Sequence, residues 1–100
     1  MTIDQLNEAT RLLEQHGGYG WLLRGPDVLL ASDIAEHLAQ MGIKVTRETV
    51  GRWIKVLPHT QDFGKVGLAA TRDDLILMFA DRFVRRASNG RRYRYRIQPR

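Results

Sequence analysis

The sequence predicts an α+β fold, namely one domain of three to four helices that ends in a C-terminal β-hairpin. Apolar residues recur at helical spacing in three segments, each with a capping residue before it and a glycine or proline after it. The last segment instead alternates apolar and basic residues after Asn89-Gly90, the strongest signal for a two-residue hairpin turn. A length of 100 residues, of which 43% are hydrophobic, fits a single domain of ordinary size.

The first predicted helix begins after Thr2 and ends before Gly17-Gly18. Thr2 can cap it, and Gln5 lies at the spacing of a capping box. Its apolar face carries Leu6, Ala9 and Leu13. Residues 21–30 then predict either a small hairpin or two short extended pieces around a turn at residues 24–27.

Residues 32–57 predict a helix-turn-helix. Ser32 is the expected N-cap of its first helix and Thr46 that of its second, which spans residues 46–57. Gly42 fits the turn between them, and Pro58 ends the second helix because a proline disfavours helical angles in the preceding residue. The core-facing residues are Ile34, Leu38 and Met41, followed by Val50, Trp53, Ile54 and Leu57.

The rest of the chain predicts a loop, a fourth helix and the hairpin. Residues 58–67 are expected to form the loop, and Thr71 is expected to cap the helix, although its apolar run also fits a strand. The hairpin should span residues 83–97. In its second strand the arginines share one face, while the other face, which we expect to pack beneath the hairpin, carries Tyr93, Tyr95 and Ile97.

Charge is strongly segregated along the chain. The net charge is +5, made up of −4 in residues 1–42 and +9 in residues 43–100. Residues 82–100 hold eight arginines and no acidic residue. Such segregation indicates a polyanionic partner, although a basic surface can also serve only for solubility.

The predicted hairpin places like charges opposite one another. With the turn at Asn89-Gly90, Arg85 faces Arg94 across the two strands. Directly opposed like charges cost roughly 0.2–1 kcal/mol per pair. Phosphate groups between the arginines would turn that repulsion into charge-assisted hydrogen bonding, whereas in their absence the side chains would splay into solvent.

The helix at 46–57 presents a second cationic surface. Its polar face carries Arg47, Arg52 and Lys55, side chains that can contact guanine or phosphate. Gly51 lies on the same face and is a poor helix former. It indicates either close approach of the helix backbone to DNA or close packing against another helix.

The helix-turn-helix followed by a basic hairpin resembles a winged helix-turn-helix DNA-binding domain. Residues 33–57 are similar to the helix-turn-helix in the N-terminal domain of bacterial arginine repressors. The tail resembles the wing of phage and plasmid replication proteins and of primase-helicases. About 25 residues separate helix from wing, more than a minimal winged helix needs, and no arginine sensing is implied. The matching positions are Ile34, Ala35, Leu38, Gly42, Val45, Thr46, Thr49, Val50, Arg52, Ile54 and Leu57.

The resemblance implies sequence-specific binding of double-stranded DNA, by a small transcriptional regulator or an accessory protein of replication or another DNA transaction. The helix at 46–57 would read the major groove, and the wing at 83–97 would contact the backbone or the minor groove. The expected DNA-binding residues are Lys44, Thr46, Arg47, Thr49, Arg52, Lys55, Arg85, Arg86, Asn89, Arg91, Arg92, Arg94 and Arg96.

Two other classes of function stay open. The acidic N-terminal half offers a surface for a protein partner, as in an adaptor or loader. A homodimer, which symmetric DNA sites usually require, would use the first helix or residues 21–30 as its interface. The alternation of tyrosine and arginine in the last strand is typical of single-strand or RNA binding.

Several functions are not expected. The chain has no cysteine, and its three histidines, which we interpret as surface residues, lack metal-ligand spacing, so neither a metal nor another cofactor is expected. No phosphate-binding glycine loop or catalytic set is visible, which argues against an enzyme. No apolar run approaches the ~20 residues of a membrane span, and we expect a cytoplasmic, nucleoid-associated protein.

Overall fold

The computed structural model describes residues 2–85, which form an α+β fold. Within them lie five α-helices and one antiparallel sheet of three strands, in the order β1-β3-β2. The elements are α1 (Ile3–His16), α2 (Gly20–Leu23), β1 (Val28–Leu30), α3 (Ala31–Gln40), α4 (Arg47–Lys55), β2 (Gln61–Asp62), a 3-10 turn (Gly64–Val66), β3 (Leu68–Thr71), α5 (Arg72–Phe79) and a π-helix (Ala80–Arg85).

The first helix is confirmed with its capping box. The backbone nitrogen of Thr2 donates to Oε1 of Gln5 (3.0 Å), and the backbone nitrogen of Gln5 donates to Oγ1 of Thr2 (3.1 Å). Gly17 ends α1 with φ 85°, a value that favours glycine. Ala9 and Leu13 are fully buried, and α1 packs on α5 and on the π-helix.

The expectation for residues 21–30 is wrong in its first half. Residues 20–23 form the short helix α2 and not an extended piece, while β1 is a strand. A helical turn buries Leu22 and at the same time turns Trp21 toward α3. There the indole nitrogen of Trp21 donates to Sδ of Met41 (3.2 Å), and its ring stacks on His37 (4.7 Å between centroids). His37 is therefore half-buried and not a surface residue.

The two helices of the predicted helix-turn-helix are confirmed, with small shifts at their ends. α3 begins at Ala31 and takes Leu30 as its N-cap, not Ser32, because the chain enters the helix directly from β1. Gly42 has φ +89°, and the backbone nitrogen of Ile43 donates to the Leu38 carbonyl (2.8 Å), which satisfies the end of α3.

The second of these helices, α4, begins after the predicted cap. Oγ1 of Thr46 accepts from the backbone nitrogen of Thr49 (3.1 Å). The helix ends at Lys55 and not at residue 57, because the backbone nitrogen of Leu57 donates to the Ile54 carbonyl (3.0 Å) in a tighter turn, and the hydroxyl of Thr60 donates to the same carbonyl. Its core residues Val50 and Ile54 are fully buried.

A short hairpin begins where the sequence predicts a loop. β2 pairs with β3 in the register Gln61 to Ala69 and Asp62 to Leu68, and β3 also pairs with β1. The connecting turn spans residues 63–67. Pattern reasoning missed β2 because it has only two residues, both polar and exposed, so no alternation marks it.

The helix predicted after Thr71 is confirmed. Oγ1 of Thr71 accepts from the backbone nitrogen of Asp74 (3.3 Å), and the apolar run that also fitted a strand is helical. Leu75, Ile76 and Phe79 are buried in this helix, whereas Met78 is only partly covered.

The strand predicted to begin at Phe83 is wrong for residues 83–85, which belong to the π-helix. Helical geometry buries Val84 in the core and places the Phe83 ring 5.5 Å from Phe79. These contacts are lost in a solvated strand, so packing decides the conformation. The remaining residues of the predicted wing, 86–97, lie outside the described residues.

The core joins every helix to the sheet. Its largest fully buried side chains are Tyr19, Phe79, Leu13, Leu22, Ile34, Leu38, Ile54, Leu75 and Val50. Burial raises the pKa of Tyr19 to about 12, and its hydroxyl has no hydrogen-bond partner among the described residues. None of the helices in residues 2–85 has the length and apolar character needed to cross a bilayer.

Candidate nucleic-acid interface

The outward face of α4 is an exposed, mainly cationic surface. Burial of Val50 and Ile54 fixes the rotation of the helix, so that Glu48, Arg52 and Lys55 point away from the core. The protein's own chain does not cover these side chains among the described residues. The charged side chains on the outward face of α4 are therefore accessible to a binding partner.

The N-terminal turn of α4 holds Arg52 through a chain of hydroxyl groups. Oγ1 of Thr46 donates to Oγ1 of Thr49 (3.0 Å), and Nη2 of Arg52 donates to the same Thr49 oxygen (3.2 Å). The Arg52 guanidinium is thus drawn toward the N-terminal end of the helix, the end that approaches base edges in helix-turn-helix proteins. In this arrangement Thr46 and Thr49 position Arg52, a role that spacing alone did not indicate.

Arg47 and Glu48 form an exposed pair at the start of α4. Nε of Arg47 lies 3.6 Å from Oε2 of Glu48, with the side chains 61% and 69% exposed. An ion pair this exposed is weak and rearranges readily. Arg47 is therefore available to another anion.

Gly51 leaves an open gap in the same surface. A Cβ added to it meets no heavy atom within 4 Å among the described residues. The glycine lies one turn from both Arg47 and Lys55, at helical spacings of four residues. Close packing against another helix, one of the two interpretations of Gly51, is therefore not found among residues 2–85.

The hairpin of β2 and β3 lies beside α4, because β3 packs against that helix. Its turn carries the exposed Lys65 between the exposed apolar residues Phe63 and Val66. The sequence analysis did not select any of these three residues. The available signal was the pair of glycines in the turn, Gly64 and Gly67, which have φ +66° and +110°.

Two basic residues outside α4 serve packing instead. The guanidinium of Arg72 contacts the Gly25 carbonyl (2.9 Å) and the Asp27 carboxylate (3.3 Å). Arg82 lies over the Trp53 ring, 4.6 Å from its centroid. The contact between Arg82 and Trp53 joins the π-helix to α4. The arginine-rich C-terminal segment is the next part of the chain after this π-helix.

A pair that the sequence did not reveal connects the end of α4 to α5. Asp74 is only 4% exposed and accepts from the backbone nitrogen of His59 (3.0 Å), while Nδ1 of His59 lies 3.1 Å from its carboxylate. Fifteen residues separate the partners, and no local pattern marks such a contact.

The expected DNA-binding residues fall into two groups. Those of the helix-turn-helix are brought together around α4, and Arg85 is the last residue of the π-helix. The exposed members of the first group are Lys44, Thr46, Arg47, Arg52 and Lys55, with Thr49 half-buried. The members that lie outside the described residues are Arg86, Asn89, Arg91, Arg92, Arg94 and Arg96.

No protein-family model matches the chain, and neither a curated protein nor a solved structure is significantly similar to it.

Proposed function

We propose that this protein binds double-stranded DNA sequence-specifically, as a small transcriptional regulator or an accessory protein of a DNA transaction. The observation that carries the proposal is the outward face of α4. It is exposed, bears Arg47, Arg52 and Lys55, and is open at Gly51. An α-helix of this kind fits the major groove of B-DNA.

The basic side chains around α4 fall into two groups, one expected to contact bases and the other expected to contact phosphate groups. Arg52, whose Nη2 donates to Oγ1 of Thr49 (3.2 Å), would donate two hydrogen bonds to a guanine, the commonest specific contact in the major groove. Lys44, which precedes α4, and Lys55, the last residue of α4, are exposed and suit phosphate groups. Gly51 lets the helix backbone come close to the groove floor.

The order of elements supports a winged helix-turn-helix. A strand precedes α3, the two helices follow, and a hairpin comes next and packs on α4. We assign the role of the wing to this hairpin, residues 61–71, in place of residues 83–97. The arginine-rich segment beyond residue 85 then supplies additional phosphate contacts, an assignment that rests on its sequence alone.

The proposal is tested by selecting bound duplexes from a random pool and measuring affinity against salt. With about six phosphate contacts, log affinity should fall with log salt at a slope near −5. Failure to enrich any sequence, together with a nearly flat salt dependence, would contradict the proposal.

Two arginine variants distinguish base-specific contacts from phosphate contacts. Arg52→Ala should weaken binding to the selected duplex by roughly 10- to 100-fold and weaken binding to random duplex much less. Arg94→Ala should weaken both to the same extent. Arg11→Ala, which removes an exposed arginine of α1, is the matched control and should leave both affinities unchanged. Equal losses in the Arg52 and Arg11 variants would refute the assignment of α4.

A further inference from the structure

The turn of the hairpin beside α4 projects apolar side chains into solvent. Phe63 is 50% exposed and Val66 is 55% exposed. Among residues 2–85, three of the five exposed large apolar side chains, these two and Val56, follow α4 within a short stretch. Single exposed apolar residues are ordinary, but two on one turn, Phe63 and Val66, indicate a contact surface.

The backbone of this turn is already ordered by its own hydrogen bonds. The backbone nitrogen of Phe63 donates to the Gly67 carbonyl (3.0 Å), and that of Gly67 donates to the Gly64 carbonyl (3.0 Å). The backbone nitrogen of Gly64 donates to Oδ1 of Asp62 (2.8 Å). A turn fixed in this way loses little conformational entropy when its side chains bind.

The charges around the turn favour a polyanion over an apolar protein surface. Lys65 lies between the two apolar residues and offsets the charge of Asp62, so the excess of positive charge comes from the neighbouring α4, where Arg47, Arg52 and Lys55 outnumber Glu48. Burying so many cations against a neutral partner would cost free energy without compensation. DNA offers both phosphate groups and, between its base pairs, an apolar contact.

We propose that Phe63 is an apolar wedge that enters the minor groove and partly unstacks one base step of the duplex that α4 binds. This inference rests on the proposed DNA-binding function. Because β3 packs against α4, a helix in the major groove would bring the turn of the same hairpin near the adjacent sugar-phosphate backbone and minor groove. Phenylalanine is among the side chains that insert between base pairs and kink the duplex, by roughly 20–90°.

The wedge also predicts a sequence preference that direct base contacts do not explain. Pyrimidine–purine steps such as TA and CA unstack most easily. The selected sites should therefore contain such a step outside the positions read by α4. Phe63→Ala should lose the preference at that step and keep the preference at the positions that Arg52 reads.

The test compares the full-length protein with Phe63→Ala and with Ile3→Ala, a control that removes an exposed apolar side chain from α1. The probe is a selected duplex of about 30 base pairs, roughly three helical turns, with a donor and an acceptor dye at its ends. Energy transfer between the dyes measures the bend, and circular dichroism checks that each variant is folded. As a measurement that needs no variant, 2-aminopurine at the pyrimidine–purine step reports unstacking by the wild-type protein.

We expect the wild-type protein and Ile3→Ala to bend the duplex and to raise the 2-aminopurine fluorescence. Phe63→Ala should bind about tenfold more weakly and leave the duplex straight. A wild-type complex that binds the selected site without bending or unstacking it would overturn the wedge and leave DNA binding intact. Self-association that Phe63→Ala abolishes would assign the turn to a second copy of the chain and also overturn the wedge. Absence of duplex binding altogether would refute the proposed function and the wedge together.

Discussion

Replacing Gly51 with alanine should stabilise the fold and weaken DNA binding at the same time. The glycine lies in the middle of α4, where glycine costs about 1 kcal/mol relative to alanine because it loses more backbone entropy. A Cβ at this position meets no heavy atom within 4 Å, so no clash offsets the gain. The free energy of unfolding should therefore rise by about 1 kcal/mol, which raises Tm by about 4–8 °C in a domain of this size.

The same methyl group points into the proposed interface. It lies on the row that joins Arg47 to Lys55, where the helix backbone would approach the groove. A methyl group there holds the helix away from the bases and should weaken binding to the selected duplex by about tenfold.

Two measurements and one control variant test the expected effects of Gly51→Ala on stability and on DNA binding. Thermal unfolding followed by circular dichroism gives Tm, and fluorescence anisotropy with a labelled duplex gives Kd. Asn7→Ala, at an exposed position inside α1, also improves helix propensity and should raise stability by about 0.5 kcal/mol without changing Kd. A lower Tm for Gly51→Ala would refute the open surface, and an unchanged Kd would refute the close approach to DNA.

The other predictions concern charge and burial. Glu48→Gln should raise affinity a few-fold for selected and random duplexes alike, because a carboxylate on the DNA-facing side of α4 repels phosphate; filter-binding titrations that show no change would place DNA elsewhere. Asp74→Ala should lower the free energy of unfolding by about 2 kcal/mol in urea, because it removes the buried carboxylate that accepts from the backbone nitrogen of His59, whereas Asp73→Ala should cost less than about 1 kcal/mol. Equal losses in these two variants would contradict a special role for Asp74. Tyr19 has a pKa raised to about 12 by burial, above its ordinary value of 10, so the folded protein holds that proton longer than the unfolded chain does and stability should fall between pH 10 and 12. Tyr19→Phe should remove part of this decline, and identical pH profiles for the two proteins would show that the buried hydroxyl is not responsible.

The four longer helices, α1, α3, α4 and α5, were predictable from the sequence because their signals are local. Thr2, Thr46 and Thr71 each cap a helix through a hydrogen bond to a residue three positions later. Apolar periodicity then fixed which face of each long helix is buried. Gly17 and Gly42 have the positive φ angles that end α1 and α3.

The small sheet was not predictable because its strands depend on distant partners. β1 and β3 are 38 or more residues apart along the chain, and each has at most four residues. β3 carries Ala69 and Ala70, whose small side chains show no pattern typical of a strand, yet both are fully buried between neighbouring elements. Tertiary packing, which a local pattern does not encode, decides their conformation.

The candidate site was predictable in part. The basic face of α4 follows from the helical spacing of Arg47, Arg52 and Lys55 once the core face is known. The turn at residues 63–67 was not predicted as part of the site because it carries only one basic residue, Lys65. The contact of Arg82 with Trp53 depends on the π-helix, which no sequence signal indicated.

The central claim, that α4 and the adjacent hairpin form one DNA-binding surface, is tested most directly by amide chemical shifts of the labelled protein during titration with a selected duplex. The account predicts that the largest changes within the described residues map to residues 44–55 and 61–67, while the outward face of α1 stays unchanged. Changes confined to α1 and the acidic N-terminal half, or no changes in α4, would contradict it.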